Sequence, residues 1–319
     1  MAKWPSLPQL RSFLAVVETG NLSLAARRLH LTQPAVSQQL QELERILDVR
    51  LLDRAAGRAQ PTPAGEALLE PARRALAAME DAVETVSRYS GEETGRLRIG
   101  TGATACAFLL PSVLANVKRD MPGLEISVSI GNTVDILPRI EAGEIDVGLV
   151  TLPVPVSRSL DTTLLMREPL LALFPASDVL PDRATPQAMA AEPLILYESG
   201  GHTRGGLDRW FDAAGLTAHP IMELGSVETI KRMVAGGLGT SILPGLALGE
   251  PIAGTISRPL DPPLWRELGL TLRANKIRDR GLRLFLRELE EAVRHETTID
   301  GAVVPGRVTN PTRGRQSRS

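Results

Sequence analysis

The stretch from Leu22 to Leu47 leaves this chain few choices. It reads as two helices joined by a tight turn. Ser23 is placed to cap the first helix, its hydroxyl accepting from a free first-turn amide. Ala25, Ala26 and Leu29 make a small apolar face that another helix can approach closely. His30 and Leu31 form the turn. Thr32 can cap the second helix, and Pro34 is tolerated in its first turn, where N–H groups have no partner within the helix. Beyond it Val36, Leu40, Leu43 and Leu47 fall on one face, while Gln33, Ser37, Gln38 and Gln41 fall on others. Glutamine can bridge an adenine edge, serine can meet a base or a phosphate, and a helix N-terminus favours phosphate. A solvated helix hairpin has the same periodicity, so the surrounding chain must decide.

Charge and cysteine usage narrow the setting. The chain of 319 residues has a net charge of −1, and its 43% hydrophobic content is enough for two or three domains. Residues 1–62 hold eight Lys/Arg against five Asp/Glu, a local balance of +3 that has the right sign for phosphate contact. The single Cys106 excludes an intramolecular disulfide and favours a reducing compartment. No signal-like or membrane-spanning apolar run occurs, so a cytoplasmic protein without a membrane partner is expected.

Upstream, Ser6 and Gln9 form a possible capping box; Leu10, Phe13, Leu14 and Val17 then follow a helical period, and Gly20 closes that helix. Downstream, Leu51 and Leu52 suggest a short strand, Ala55 to Arg58 a loop containing Gly57, and Thr62 the return. Three helices and a small hairpin make a winged helix-turn-helix. In that arrangement Arg54 and Arg58 would grip backbone or minor groove while the second helix of the pair reads the major groove. Taken singly, each arginine is equally at home as a solvated loop charge.

From Leu10 to Gly65 the chain resembles the DNA-binding domain of LysR-type transcriptional regulators. The matching residues are Leu10, Phe13, Ala25-Ala26, Leu29, Gln33 to Ser37, Leu43-Glu44, Leu51, Arg54, Thr62 and Ala64-Gly65. Asp48, Leu52 and Pro61 depart from the family's usual Gly, Phe and Leu, at packing and turn positions. The resemblance implies that Gln33, Pro34 and Ser37 contact bases or phosphates and that Arg54 contacts backbone, with Thr32, Gln38 and Arg58 as further candidates.

Residues 63–91 read as a linker helix. Leu68, Ala72, Ala75, Met79, Ala82 and Val86 step by 4, 3, 4, 3, 4, with Leu69, Leu76 and Val83 beside them, which is the pattern of a coiled-coil seam. Pro71 would kink it. An amphipathic helix lying on its own core would show the same pattern. A two-fold dimer through this helix would set two recognition helices against two half-sites. Ser90-Gly91 and Thr94-Gly95 mark a boundary.

Residues 95–295 alternate strand and helix. Strands are expected at Leu97–Ile99, Leu124–Ile130, Ile145–Val150, Leu170–Phe174, Leu194–Tyr197, Ile221–Leu224, Thr240–Leu243 and Leu268–Leu272. Helices are expected near 104–118, 134–142, 204–214, 227–235 and 282–293. Two α/β lobes with a cleft between them follow. This resembles the same family's effector-binding domain, itself similar to periplasmic solute-binding proteins. On that resemblance lobe one takes 96–160 and 267–295, and lobe two takes 161–266. Ligands of open α/β sheets bind beyond the carboxyl ends of strands. The candidates are therefore Thr101, Gly102, Thr104, Asn132, Thr133, Thr151, Gly200, His202, Gly225 and Ser226. Thr104 and Ser226 each open a helix, and hydroxyls with free amides there suit a small anion, although capping alone explains both. His202 could bring charge or be simply solvated.

Gly100, Gly102 and Ala105 fit a G-x-G-x-x-A dinucleotide fingerprint, which leaves an NAD(P)-dependent oxidoreductase as the alternative from another class. The next strand ends in Ile130-Gly131-Asn132, with no acid to hold a ribose. A DNA-binding structural protein with an empty cleft is a third reading. Residues 296–319 lack periodicity and read as a disordered tail. The expectation is a non-enzymatic, effector-responsive regulator with no cofactor. Its partners would be double-stranded DNA, an anionic small molecule and its own copies, as dimers pairing into a tetramer.

Overall fold

The helical periods of residues 6–47 fold as three short helices around Phe13, Val16, Ala25, Val36, Leu40 and Leu43, which form one buried cluster. They are α1 (Leu7–Thr19), α2 (Leu22–Arg28) and α3 (Gln33–Leu47). The computed structural model describes residues 4–55, 58–87, 95–176, 182–249 and 252–299. It divides into a unit ending at Glu92 and a unit from Glu93 onward, apart from the short segment Glu141–Glu144, which groups with the first.

In the first unit the Ser6 N–H donates to Gln9 Oε1 at 2.8 Å at the start of α1, and Gly20, at φ 65°, ends that helix. Ser23 does not cap α2. Asn21 does, its Oδ1 accepting from the N–H groups of Ser23 (2.8 Å) and Leu24 (3.1 Å). Both residue types can cap; the helix starting at Leu22 makes Asn21 the flanking position. Thr32 Oγ1 accepts from the Ala35 N–H at 3.4 Å, and Pro34 sits in the first turn of α3. Leu47, expected on the buried face, is 37% exposed because α3 ends there, with Asp48 in the left-handed region at φ 52°.

Strands β1 (Leu52–Ala55) and β2 (Arg58–Pro61) form the antiparallel wing. Ala55 and Arg58, expected in the loop, are instead the last pair of the ladder; the tip Ala56-Gly57 lies outside the described residues. Three hydrogen bonds fix the wing. The Ala59 N–H donates to Gly20 O at 2.9 Å, and Glu44 Oε1 accepts from the N–H groups of Leu51 (2.8 Å) and Leu52 (3.2 Å).

Helix α4 (Pro63–Ser87) is continuous through Pro71. Its expected seam divides in two. Ala72 is buried in the winged-helix core, with Leu68, Leu69 and Leu76 packed on it, whereas Met79, Val83 and Val86 are exposed. The first half is therefore part of this unit's core rather than a free linker. Gly65 makes the junction possible, since a Cβ there would stand 2.1 Å from Leu51 O. Ser90, Gly91 and Thr94, expected as the domain boundary, lie outside the described residues.

The second unit opens with β3 (Gly95–Thr101), α5 (Ala103–Phe108), α6 (Leu110–Asp120), β4 (Leu124–Ile130), α7 (Thr133–Glu141) and β5 (Val147–Thr151). β3 pairs in parallel with both β4 and β5. The single helix expected near 104–118 is two, breaking at Leu109 ahead of Pro111, which has no N–H to donate. Next come β6 (Leu160–Pro175), α8 (Pro186–Ala190), β7 (Leu194–Tyr197), α9 (His202–Asp212), β8 (Pro220–Leu224), α10 (Val227–Ala235) and β9 (Ser241–Pro244). A 3-10 turn (Gly245–Leu248), β10 (Thr255–Pro259), β11 (Trp265–Arg273) and α11 (Arg280–Ile299) complete the order.

The main sheet runs β10-β6-β11-β5-β3-β4, with β9 also on β6. β6 is longer than expected and belongs to both lobes. From Leu160 to Pro169 it pairs with β11, and from Leu170 onward with β9 and β10. The expected lobe boundary at 160/161 thus marks where β6 begins, and the change of partners comes at Pro169/Leu170. Lobe one's core joins Leu97, Ile99 and Val113 to Leu268, Phe285 and Leu289 of the returning chain. Lobe two packs around Leu196, Trp210 and Phe211, with Ile195, Ile230 and Val234 beside them. Helix α11 continues to Ile299, so residues 296–299, expected in the tail, are helical; the rest of the tail, 300–319, lies outside the described residues.

Candidate functional site

On α3 the buried face of Val36, Leu40 and Leu43 dictates what remains outside. Thr32, Gln33, Pro34 and Gln38 are exposed and Ser37 is half-buried. Thr32 is engaged as the cap. The Ser12 hydroxyl donates to Gln39 Oε1, which ties α1 to the middle of α3. Arg54 lies on β1 opposite Ala59, and Arg58 on β2 opposite Ala55, so the two flank the wing tip.

In the second unit a cavity of about 260 Å³ opens between the lobes. Of the residues expected there, Gly102, Thr104, Asn132, Thr133, Thr151, His202 and Gly225 line it. Three do not. Thr101 is fully buried behind the cavity, its hydroxyl donating to Gly102 O at 3.3 Å. Gly200 supplies the φ of 91° that turns the chain into α9. Ser226 is a cap, its Oγ accepting from the Thr229 N–H at 3.3 Å. Thr104 lies within α5 rather than capping it, and is 4% exposed. Thr133 spends its hydroxyl on pinning α7 to β5, donating to Thr151 O and accepting from the Thr151 N–H, both at 3.1 Å.

Sequence reasoning missed Asp135, Tyr197, Glu198, Arg204 and Arg266, all of which line the cavity. Arg204 Nε donates to Asp208 Oδ1 at 2.8 Å, and its Nη1 donates to Glu223 Oε1 at 2.6 Å and to Tyr197 O at 2.7 Å. The i, i+4 spacing of Arg204 and Asp208 was a legible signal. Arg266 had none. It is paired with Glu168, 98 residues away, through Nε at 2.9 Å and through Nη2. Glu168 in turn accepts from the Leu246 N–H at 2.9 Å, so this buried pair holds the 3-10 turn against the two strands that join the lobes. Burial pushes the Tyr197 phenol up to about 12, partly offset by the Arg266 guanidinium and the Thr104 hydroxyl.

Residues 7–66 match the profile of the bacterial regulatory helix-turn-helix protein, lysR family, and residues 90–294 match the LysR substrate binding domain. The chain belongs to the LysR family of bacterial transcriptional regulators. It is 32% identical to the HTH-type transcriptional regulator CbbR of Xanthobacter flavus, over 82% of this chain and 79% of that one. In fold it is similar to full-length OxyR of Pseudomonas aeruginosa, with a TM-score of 0.70 at 23% identity over 92% of this chain and 95% of that one. It is also similar to full-length CbnR in complex with its target DNA, with a TM-score of 0.64 at 23% identity over 90% and 99%. This LysR-type regulator is thus a DNA-binding protein carrying an effector-binding domain, and its named relatives are regulators rather than enzymes.

The oxidoreductase alternative is overturned by that membership, and the fingerprint has a plainer cause. Gly100 is glycine because a Cβ would stand 2.8 Å from side-chain atoms of both Ile136 and Ile145; it lets α7 pack on β3. Among the described residues no group of three or more His, Cys, Asp or Glu could hold a metal, and no helix is long and apolar enough to cross a membrane.

Proposed function

We infer that this regulator reads duplex DNA with α3 in the major groove and with the wing arginines on the backbone. It works as a two-fold dimer through the exposed half of α4, dimers pairing into tetramers, and responds in the cytoplasm to a small molecule in the interlobe cleft. The observation that carries the reading is the outer face of α3. Gln33, Pro34 and Gln38 stand free on a rigid, capped helix start, with Ser37 beside them, where base-reading side chains belong. The solved complex of CbnR with its target DNA supports it, and exposed Met79, Val83 and Val86 support a partner helix along α4. In the cleft, Thr104, Asn132, His202 and Gly225 are the lining residues proposed to meet the effector, with closure of the lobes changing how the dimers pair.

The test separates base contacts from phosphate contacts. Gln33→Ala with Ser37→Ala should cost about 1–3 kcal/mol of discrimination per lost contact against a wrong base. The slope of log K against log salt should stay unchanged, because it counts phosphates. Fluorescence anisotropy with operator and scrambled duplexes across a salt series measures both. An unaltered preference would remove α3 from the readout.

A further inference from the structure

Two arginines in a cleft invite the conclusion that the ligand is a plain anion, but neither arginine has charge to spare. Arg204 is shared between Asp208 and Glu223, and Arg266 is paired with Glu168. The lining acids are the unpaired groups. Glu198 forms no ion pair or hydrogen bond among the described residues, and its carboxylate oxygens stand 3.3 Å from where a Gly225 Cβ would be. Asp135 only accepts from the Asn132 N–H at 3.1 Å. These two lining carboxylates bring unneutralised negative charge to the cleft wall.

The same cleft also offers donors. Helix α9, eleven residues long, starts at the cleft with Gly201 as its flanking residue and no side-chain cap, so its first-turn amides are free. The enclosed Tyr197 hydroxyl has no partner at hydrogen-bonding distance, and the buried Thr104 beside it also lines the cavity. At about 30 Å³ per water molecule, the 260 Å³ cavity has room for about nine. That admits a small metabolite.

We propose that the effector is a small zwitterion, its anionic group seated on the N-terminus of α9 beside Thr104 and its ammonium group facing Glu198. This rests on reading the cleft as the effector site. A carboxylate alone would meet the unpaired acids, and an amine alone would leave the α9 amides unsatisfied, so both charges on one molecule are needed.

The experiment is thermal shift and calorimetry on the full chain with three matched sets. They are the common amino acids with β-alanine and γ-aminobutyrate; acetate, propionate, butyrate and sulfate; and ethylamine, propylamine and butylamine. At least one zwitterion should bind about tenfold or more tightly than its matched acid and its matched amine, a difference of about 1.4 kcal/mol. Glu198→Gln should remove that advantage, weakening zwitterion binding while carboxylate binding stays equal or tightens as the repelling charge is lost; the side chain holds no partner, so the variant keeps the fold. If an acid or sulfate binds wild type as tightly as any zwitterion and Glu198→Gln is silent, the zwitterion is refuted while the cleft stands. If no probe binds and effector-dependent regulation survives Thr104→Ala and Glu198→Gln, the cleft itself is refuted as the site.

Discussion

Replacing Glu44 with alanine should loosen the wing from α3. Glu44 Oε1 is the acceptor for two backbone N–H groups, those of Leu51 and Leu52, at 2.8 and 3.2 Å. Both leucines are buried, at 1% and 4% exposure, so their amides do not simply turn to water. A hydrogen bond to a charged group contributes about 1.5–3 kcal/mol, and two donors sharing one oxygen do not add fully, so the loss is about 2–4 kcal/mol. For a unit of this size 1 kcal/mol moves the midpoint by about 4–8 °C, which puts the drop at roughly 8–32 °C. Glu44→Gln keeps an acceptor oxygen and loses only the charge, so about half that drop is expected. Differential scanning calorimetry on the full chain would follow the first unit's transition. In parallel, the salt slope of DNA binding should shallow by about one to two, as the phosphate contacts proposed for Arg54 and Arg58 lapse. An alanine variant that melts within about 1 °C of wild type would refute the assignment of Glu44 as the wing's anchor.

Two further outcomes follow from packing and charge. Gly65→Ala drives a Cβ to 2.1 Å from Leu51 O, so α4 must lift from the hairpin; a loss of about 1–3 kcal/mol is expected in urea titrations, and a neutral result would contradict the close approach. For Asp146, burial opposes ionisation, but hydrogen bonds and charge from Arg98 and Lys276 outweigh it and hold the carboxyl below its ordinary value of 3.8. A depressed folded pKa gives stability that is present above the unfolded value and is lost as pH falls through the folded one. Wild type should therefore lose stability steeply below about pH 4, and Asp146→Asn, already weaker at neutral pH, should fall less steeply there; parallel acid-melting curves would count against it.

Most helices and the winged hairpin were legible in the sequence because their signals are local. A Thr cap, a Pro in the first turn and a 4, 3, 4 apolar period sit within one stretch, and α3 follows them up to Leu47, which the helix end leaves exposed. What escaped depends on distant partners. The first half of β6 carries Asp161, Thr162 and Thr163, which break the apolar pattern, and becomes strand because β11 pairs with it, Thr162 meeting the Thr271 hydroxyl at 2.9 Å. Arg266 looks like a surface residue until Glu168 accounts for its burial. In the cleft most of the small hydroxyl and glycine residues were found, because strand ends are predictable places for them, while Thr101, Gly200 and Ser226 proved structural. The acids and arginines that set its charge were not, because their pairing is decided across the fold. The seam of α4 shows the same limit: one heptad pattern serves both an intramolecular core at Ala72 and an open face at Val83.

The way β6 and β11 thread both lobes has a consequence for how the protein is made. The core of lobe one begins at Leu97 yet needs Leu268, Phe285 and Leu289, which the ribosome delivers last. Lobe two, nested inside, can assemble first, but the cleft has only one wall until α11 emerges. The DNA-reading unit is complete once α4 has been synthesised, some two hundred residues earlier, and domains fold as units from the N-terminus. For the whole of that interval each nascent chain carries a finished reader with no working sensor. Any chain released before α11 is therefore a DNA-binding protein deaf to its effector.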